Sequence, residues 1–238
     1  MSQVDMKIHM LEQPDDLTCG PTSLHAVYRY WGLDLDLHQV IAEVGSLSGG
    51  GTLATFLGID ALRRGFAASI YSYNLKIFDP SWTDLSPADL IERLGAQLSY
   101  KKGKRFTVTT QAYIDFIASG GEMGFTNLTE GLLREYFDSK QPVLAGLSAT
   151  YLYRSRREYS TTAGGLVYDD LKGDPTGHFV VLHGIRDSKV TVADPYRGNP
   201  LSEDHHYAVD VLRLINAIML GTVTYDANLL VIAPAKLH

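Results

Sequence analysis

Apolar side chains recur at helical spacing in the first half of the chain. Residues 24–31 place them at i, i+3, i+4 and i+7, which predicts a helix that begins near Cys19 and ends at Gly32. After a run of three glycines, a second apolar stripe at 53–61 predicts another helix, which stops by Gly65. The first half of the chain is therefore predicted to be mainly helical.

The pattern changes towards the second half, where short runs rich in Val, Leu and Ile are bounded by Gly, Asp or Pro. Further helices are predicted at 86–98, 111–118, 129–137 and 212–219, and strands at 67–73, 142–147, 179–185, 190–193 and 222–232. Helices followed by mostly antiparallel strands indicate an α+β fold with helices on one side of a sheet.

Composition places the chain among globular proteins, and no linker divides it. Its 238 residues are 45% apolar and 20% charged, so we expect one domain over 1–238. Twenty-one basic and 27 acidic residues give a net charge of −6 without a long basic run. We therefore expect no nucleic-acid partner, because binding to phosphates requires a basic surface.

The N-terminal segment 1–13 mixes charged and apolar residues and does not have the pattern of a secretory signal. We accordingly expect a cytoplasmic protein. No stretch approaches the ~18 apolar residues of a membrane-spanning helix, so membrane insertion is not expected.

Cys19 is the single cysteine, so it cannot form an intramolecular disulfide. It lies between the polar loop 13–18 and the predicted first helix, where free backbone N–H groups and the helix dipole favour a thiolate. Pro21 suits the first turn of a helix, since its φ is already near the helical value. The alternative is that Cys19 is a small buried hydrophobic residue.

Three polar residues could assist a nucleophilic Cys19. His178 lies at the beginning of a predicted strand, and Asp194 follows the next strand, directly before Pro195. Gln13 lies six residues before Cys19, a spacing that would let its amide join the Cys19 N–H as a second oxyanion donor. The alternatives are a surface histidine at a loop end and an aspartate that starts an Asp-Pro turn.

The geometry of the predicted hairpin decides whether His178 and Asp194 can meet. If residues 187–188 form its turn, the two strands return Asp194 to the vicinity of His178. A simple two-residue turn, however, puts Asp194 opposite Val181, on the other face of the sheet. We therefore expect a longer turn or a bulge.

Four elements, in this order, resemble the peptidase C39-like family of papain-fold cysteine peptidases. They are Gln13, Cys19-Gly20-Pro21-Thr22-Ser23, Gly177-His178-Phe179-Val180-Val181-Leu182 and Val192-Ala193-Asp194-Pro195-Tyr196. The resemblance implies a papain-like fold with Cys19 as nucleophile and His178 as base. It also implies that Asp194 is the orienting carboxylate and Gln13 the oxyanion donor.

The resemblance does not extend to every property of the family. Its better-known members lie in front of a membrane transporter and trim leader peptides after a Gly-Gly pair. This chain carries no transporter or ATP-binding sequence, so double-glycine specificity is not carried over. Its own Gly164-Gly165 pair is interpreted as a flexible loop.

The expected reaction is hydrolysis of a peptide or isopeptide bond through a Cys19 thioester, without a metal or an organic cofactor. The expected partner is a peptide or protein substrate. One alternative is an acyl or peptidyl transferase that uses the same thioester. A second alternative is a catalytically silent peptide-binding module.

Other motifs favour structural roles. His205-His206 has no third metal ligand at a useful spacing and is interpreted as a polar loop, while His183 is interpreted as structural. The Gly49-Gly50-Gly51 run lacks the lysine of a phosphate-binding loop and predicts a turn before a helix.

Two further segments could affect substrate binding. A basic set could favour an acidic substrate tail if it rims the groove; it comprises Lys101, Lys102, Lys104, Arg105, Arg154, Arg156 and Arg157. The tyrosine-rich segment 149–176 comes directly before His178 and is either a groove-covering arm or a disordered loop.

Overall fold

A large sheet covered by helices accounts for most of the computed structural model, which describes residues 4–161 and 166–235. The helices are α1 (Cys19–Tyr30), α2 (Leu37–Glu43), α3 (Ala54–Arg63), α4 (Pro87–Gln97), α5 (Lys104–Ala118), α6 (Glu130–Asp138), α7 (Ala149–Tyr153) and α8 (Val211–Leu220). The strands are β1 (Val4–Asp5), β2 (Phe66–Ser72), β3 (Glu122–Gly124), β4 (Val143–Ser148), β5 (Glu158–Ser160), β6 (Leu166–Tyr168), β7 (Gly177–Arg186), β8 (Lys189–Ala193), β9 (His206–Asp210) and β10 (Asn228–Pro234).

The main sheet has the strand order β3-β2-β10-β4-β7-β8-β9, and β1 pairs with β7 outside this path. Neighbouring strands are antiparallel except β2 and β3. Strands β5 and β6 form a separate antiparallel pair. The predicted α+β class with a mostly antiparallel sheet is confirmed.

The sheet is covered on both faces. Helices α1 to α5 supply the core on one face, as expected for the N-terminal helices, and α6, α7 and α8 supply the core on the other. The expectation of helices on one side was wrong because the central strands are buried on both faces. All six residues of β4 are buried, for example, and such strands need cover on each side.

Helix α1 lies against β7, which brings the N-terminus of the helix to the start of that strand. Ser23 Oγ donates a hydrogen bond of 3.1 Å to the carbonyl oxygen of Phe179. A Cβ at Gly20 would overlap Thr52 Cγ2, so glycine is needed for this close packing. The predicted helix start at Cys19 is confirmed, and Gly32 follows the helix with a φ of 83°.

A β-bulge in β7 resolves the register of the hairpin. Asp187 and Ser188 form the two-residue turn, with φ values of 48° and 56°, the left-handed conformations that the tight turn requires. The pairing then shifts between Leu182 and Gly184, so that Val181 lies opposite Ala193. The extra residue, His183, places Asp194 on the same face of the sheet as His178. The expected bulge is therefore confirmed.

The N-terminal strand holds this bulge. Met6 donates its N–H to the carbonyl oxygen of His183 at 2.9 Å, and the ring Nδ1 of His183 lies 2.8 Å from the carbonyl oxygen of Met6. Since a carbonyl oxygen only accepts, Nδ1 carries the proton. The Asp5 carboxylate lies 3.1 Å from the same nitrogen. His183 therefore has the structural role predicted for it.

Several element boundaries differ from the predicted ones. Helix α4 begins after Ser86, whose hydroxyl accepts from the Asp89 N–H, and α5 is longer than the predicted 111–118. The predicted strand 222–232 begins only at Asn228, because a 3₁₀ turn spans Gly221–Thr224. Within 4–161 and 166–235, no helix is both long and apolar enough to cross a bilayer.

Candidate active site

Cys19 is partly exposed at the first position of α1. The first N–H groups of a helix have no partner within the helix, and the positive end of the helix dipole lies there. Cys19 interacts electrostatically with His178 and raises its pKa. The folded chain thus brings together two predicted residues that are 159 positions apart in sequence.

His178 lies at the start of β7 and is only 7% exposed. Its Nε2 lies 2.8 Å from Asp194 Oδ1, which leaves Nδ1 to face Cys19. The rings of Tyr153 and Tyr196 flank the imidazole, with centroids 6.1 and 6.5 Å away. The ring is therefore fixed by its bond to Asp194 and by its aromatic neighbours.

Asp194 is completely buried and accepts four hydrogen bonds. Oδ1 accepts from His178 Nε2 and, at 2.9 Å, from the Tyr196 N–H. Oδ2 accepts from the hydroxyls of Tyr153 at 2.6 Å and Tyr207 at 2.7 Å. The sequence reasoning did not single out Tyr207, because β9, which carries it, was not predicted.

The negative charge of Asp194 and the positive charge of His178 stabilise each other. Burial alone would raise the pKa of Asp194, but His178 and the hydroxyls of Tyr153 and Tyr207 outweigh it and hold the pKa below its usual value. Burial would likewise lower the pKa of His178, yet Asp194 and Cys19 raise it to about 10. The arrangement therefore favours an imidazolium at neutral pH.

Gln13 lines the same cleft as His178, which is described below. Its backbone N–H donates to the Pro195 carbonyl oxygen at 2.9 Å, which ties Gln13 to the turn after Asp194. One hydrogen of its amide group is used by the Asp15 carbonyl oxygen, 2.7 Å from Nε2. The second amide hydrogen remains available to a ligand.

A cleft of about 1040 Å³ opens in front of His178. Its walls include aromatic and apolar side chains at Leu17, Tyr153, Tyr159, Leu166, Tyr168 and Tyr196. Four carboxylates and one guanidinium also line it, at Asp15, Asp16, Arg156, Glu158 and Asp174. The site can therefore hold an extended ligand with apolar and cationic groups.

The tyrosine-rich segment forms one wall of this cleft. Strands β5 and β6 make a hairpin, and Glu158 exchanges backbone hydrogen bonds of 3.2 and 2.9 Å with Asp174. A further backbone bond of 2.9 Å joins Ala149 to Thr176 at the base of the segment. Its described part is thus an ordered arm, whereas Gly164-Gly165 lies outside the described residues.

The basic residues do not form a basic rim around the cleft. Only Arg156 of the seven lines it, and carboxylates predominate there. Lys101 and Lys102 instead line a separate surface depression with Tyr225. The hypothesis of an acidic substrate tail was wrong in this respect, because β-pairing brings the acidic residues Glu158 and Asp174 to the wall.

His205, the first of the two adjacent histidines, forms hydrogen bonds with the backbone of Asp194. His205 Nδ1 lies 2.7 Å from the Asp194 carbonyl oxygen. Because a carbonyl oxygen only accepts, Nδ1 is the donor. The Asp194 N–H donates to the His205 carbonyl oxygen at 2.8 Å. The interpretation of both residues as a polar loop was wrong for His206, which begins β9.

Removing one donor to the buried carboxylate tests its electrostatic role. Tyr207→Phe should lower the free energy of unfolding by about 2 kcal/mol at pH 7, since a hydrogen bond to a charged group contributes about 1.5–3 kcal/mol. Because the pKa of Asp194 is lowered by folding, this contribution exists above pH ~4 and disappears as pH falls.

Urea unfolding at pH 7 and at pH ~2 measures this difference, because the folded Asp194 stays ionised until the pH falls through its lowered pKa. Tyr151→Phe, at an exposed tyrosine in α7, is the matched control and should change stability by less than about 0.5 kcal/mol. An equal loss for Tyr207→Phe at both pH values would contradict the ionic role of the hydroxyl.

The comparisons with known proteins agree with the sequence motifs. A sequence profile of the Peptidase_C39 like family matches residues 6–212. No curated protein sequence matches the chain. The chain belongs to the Peptidase_C39 like family, since the profile covers most of its length.

Two similar solved structures cover almost the whole chain. One is described as a C39-like peptidase from Bacillus anthracis, with 14% identity, 99% of both chains covered and a TM-score of 0.47. The other is a double glycine motif protease from an AMS/PCAT transporter in complex with the leader peptide, with 15% identity and a TM-score of 0.46. It covers 99% of this chain and 100% of the other. With the profile match over 6–212, the protein is a member of the Peptidase_C39 like family.

Proposed function

We propose that residues 1–238 form one papain-like domain that hydrolyses a peptide or isopeptide bond through a thioester at Cys19. The observation that carries this proposal is that His178, at the head of the cleft, bonds to Asp194 at 2.8 Å and interacts electrostatically with Cys19. A nucleophile, a base and an orienting group in contact are the requirements of covalent acyl transfer.

The proposed reaction begins with a proton on His178. This proton, on Nδ1, came from the Cys19 thiol, so the thiolate that is paired with the imidazolium adds to the substrate carbonyl carbon. His178 then protonates the departing amine, so the C–N bond breaks and a thioester forms. Water, deprotonated by His178, adds to the thioester and releases the carboxylic acid and the thiol.

Asp194 supports each of these steps without exchanging a proton. It fixes the Nε2 side of His178, so that Nδ1 faces the sulfur. Its negative charge stabilises the imidazolium that forms during the reaction. The Tyr153 and Tyr207 hydroxyls keep the carboxylate ionised in a site that water does not reach.

The developing oxyanion needs donors as the carbonyl carbon becomes tetrahedral. We assign this role to the backbone N–H of Cys19 and the free amide hydrogen of Gln13. The Cys19 N–H belongs to the first turn of α1, where such groups have no helical partner. Gln13 is held on the cleft wall by its bonds to Pro195 and Asp15.

The cleft supports a peptide as the substrate. Its volume of about 1040 Å³ lies at the upper end of the ~300–1,000 Å³ range of small-molecule sites. The tyrosine rings that line the cleft offer surfaces for apolar and cationic side chains. No cofactor enters the proposed steps.

A screen of a defined peptide library tests this function against its alternatives. Mass spectrometry of the products, with and without an added amine, separates three outcomes. Cleaved peptides in both mixtures support hydrolysis, whereas amide products only with the amine indicate a transferase. Peptides that bind but remain intact indicate a silent binding module.

The variant Cys19→Ala is the matched control for this screen, and it should bind peptides without altering them. An acid quench of the wild-type protein should also show an acyl group on Cys19, because the thioester is stable enough to be trapped before water attacks. Turnover that persists in Cys19→Ala would contradict the assigned nucleophile.

Gln13→Ala tests the oxyanion role. Loss of one such donor should lower kcat by about 10²- to 10³-fold while KM stays nearly constant, because the donor acts mainly on the transition state. Glu12→Ala, at the neighbouring surface residue that approaches Arg197, is the control. Parallel losses of turnover, Cys19 alkylation rate and melting temperature in Gln13→Ala would instead indicate a structural role.

The acidic cleft predicts a charge preference among the substrates. The double variant Asp16→Asn/Asp174→Asn should raise KM about fivefold for a lysine-containing peptide from the screen and much less for its glutamate analogue. Asp187→Asn, which removes a charge at the far turn of the hairpin, should change neither. A larger effect on the glutamate peptide would contradict this electrostatic preference.

A further inference from the structure

A second buried carboxyl group lies at the active-site edge of the sheet. Asp226 is 6% exposed and connects the 3₁₀ turn Gly221–Thr224 to β10. Its neighbours Tyr225 and Ala227 have φ values of 70° and 34°. Such left-handed backbone is costly for residues other than glycine and is retained where the surrounding structure requires it.

Asp226 has far weaker support for a negative charge than Asp194 has. The Thr224 hydroxyl lies 2.5 Å from Asp226 Oδ2 and donates to it. The Arg105 guanidinium donates to the Thr224 carbonyl oxygen at 3.3 Å, which brings its positive charge close enough to lower the pKa of Asp226. Asp226 thus has one hydroxyl donor and a nearby cation, whereas the Asp194 carboxylate has four donors.

The carboxyl group lies against the residue that precedes the catalytic histidine. A Cβ on Gly177 would overlap Asp226 Oδ2, so the carboxyl occupies the space where a side chain would be. In the sheet, β7 lies between β4, which pairs with β10, and β8. Asp226 therefore approaches the start of β7 from the β10 side, whereas Asp194 approaches from the β8 side.

The charged and titratable groups around Asp226 come from two further elements. Arg105 and Tyr113 lie on α5, and His178 lies on β7. Burial raises the pKa of Asp226 to about 7, although Thr224, Arg105 and His178 each lower it. Its charge thus changes near neutral pH, while His178 remains protonated.

We propose that Asp226 is a positioning residue for His178, because its carboxyl packs beneath Gly177 and, when ionised, adds a second negative charge beside the imidazolium. This inference rests on the catalytic role proposed for His178. The ionised form should stabilise the imidazolium and raise the pH at which His178 loses its proton. When Asp226 is neutral, Asp194 alone should stabilise the imidazolium.

Asp226→Asn tests the charge while it preserves the shape of the side chain. We expect the titration midpoint of His178, followed by NMR of its ring protons in the full chain, to fall by about 0.5–1 pH unit. This is the size expected for a charge at short range in a protein interior. In kcat/KM profiles, the loss of activity at high pH should move down by the same amount.

Two variants separate the effect of the charge from a general disturbance. Thr224→Val removes the hydroxyl that supports ionised Asp226, so Asp226 should become charged at a higher pH. The His178 midpoint of this variant should stay close to that of wild type, because Asp226 is still ionised in the range where His178 loses its proton, whereas Asp226→Asn should lower the midpoint. Asp187→Asn removes one charge at the far end of β7 and should leave the His178 midpoint unchanged.

A stability measurement gives an independent readout. Folding raises the pKa of Asp226 from its usual 3.8, so the wild type loses stability as pH rises from about 4 to about 7. Asp226→Asn avoids this cost and should have a higher melting temperature than wild type at pH 8. At pH 4 the two proteins should differ little.

The outcomes distinguish this inference from the proposed function. An unchanged His178 midpoint in Asp226→Asn would overturn the inference, even if the protein cleaves peptides. A lowered midpoint would support the coupling between Asp226 and His178 even if the library screen found no hydrolysis. A change in melting temperature alone would show a structural role and would also overturn it.

Discussion

The negative charge of Asp194 is the constraint on which the site depends. A fully buried carboxylate is unstable unless hydrogen bonds and a counter-charge replace its hydration. Here the donors come from three separate parts of the chain around it, namely α7, β9 and the turn after β8, and the counter-charge comes from His178 on β7. Fixing the Asp194 carboxylate therefore also fixes the ring of His178, and with it the ring nitrogen Nδ1 on the side opposite Asp194.

The pairing of β7 with β8 makes that arrangement geometrically possible. Without the extra residue at His183, the period of two along a strand would direct Asp194 to the opposite face. The N-terminal residues Asp5 and Met6 hold the bulge through the backbone and the ring of His183. A contact at the far end of the strand thus determines which side chains meet at its start.

Local signals in the sequence were enough to predict where three of the candidate site residues lie in the fold. The helix start at Cys19, the strand start at His178 and the need for a bulge before Asp194 all follow from short-range patterns. The donors Tyr153 and Tyr207 could not be predicted, because only long-range pairing brings them together. The run 222–232 was predicted as one strand because its composition is apolar. The turn that leads into Asp226 occupies its first residues, so the strand begins only at Asn228.

The two buried carboxyl groups at this edge of the sheet differ in the number of donors that each receives. Three neutral donors and a facing imidazolium keep Asp194 ionised, whereas Asp226, with a single hydroxyl donor, has a pKa of about 7 and changes its charge near physiological pH. Pairs of titratable groups whose surroundings push their pKa values apart are typical of sites that move protons. A fold under selection for stability alone would replace Asp226 with an amide, since the buried carboxyl costs free energy above its unfolded pKa. Its place beneath Gly177 is therefore better explained by what its charge does to His178 than by packing.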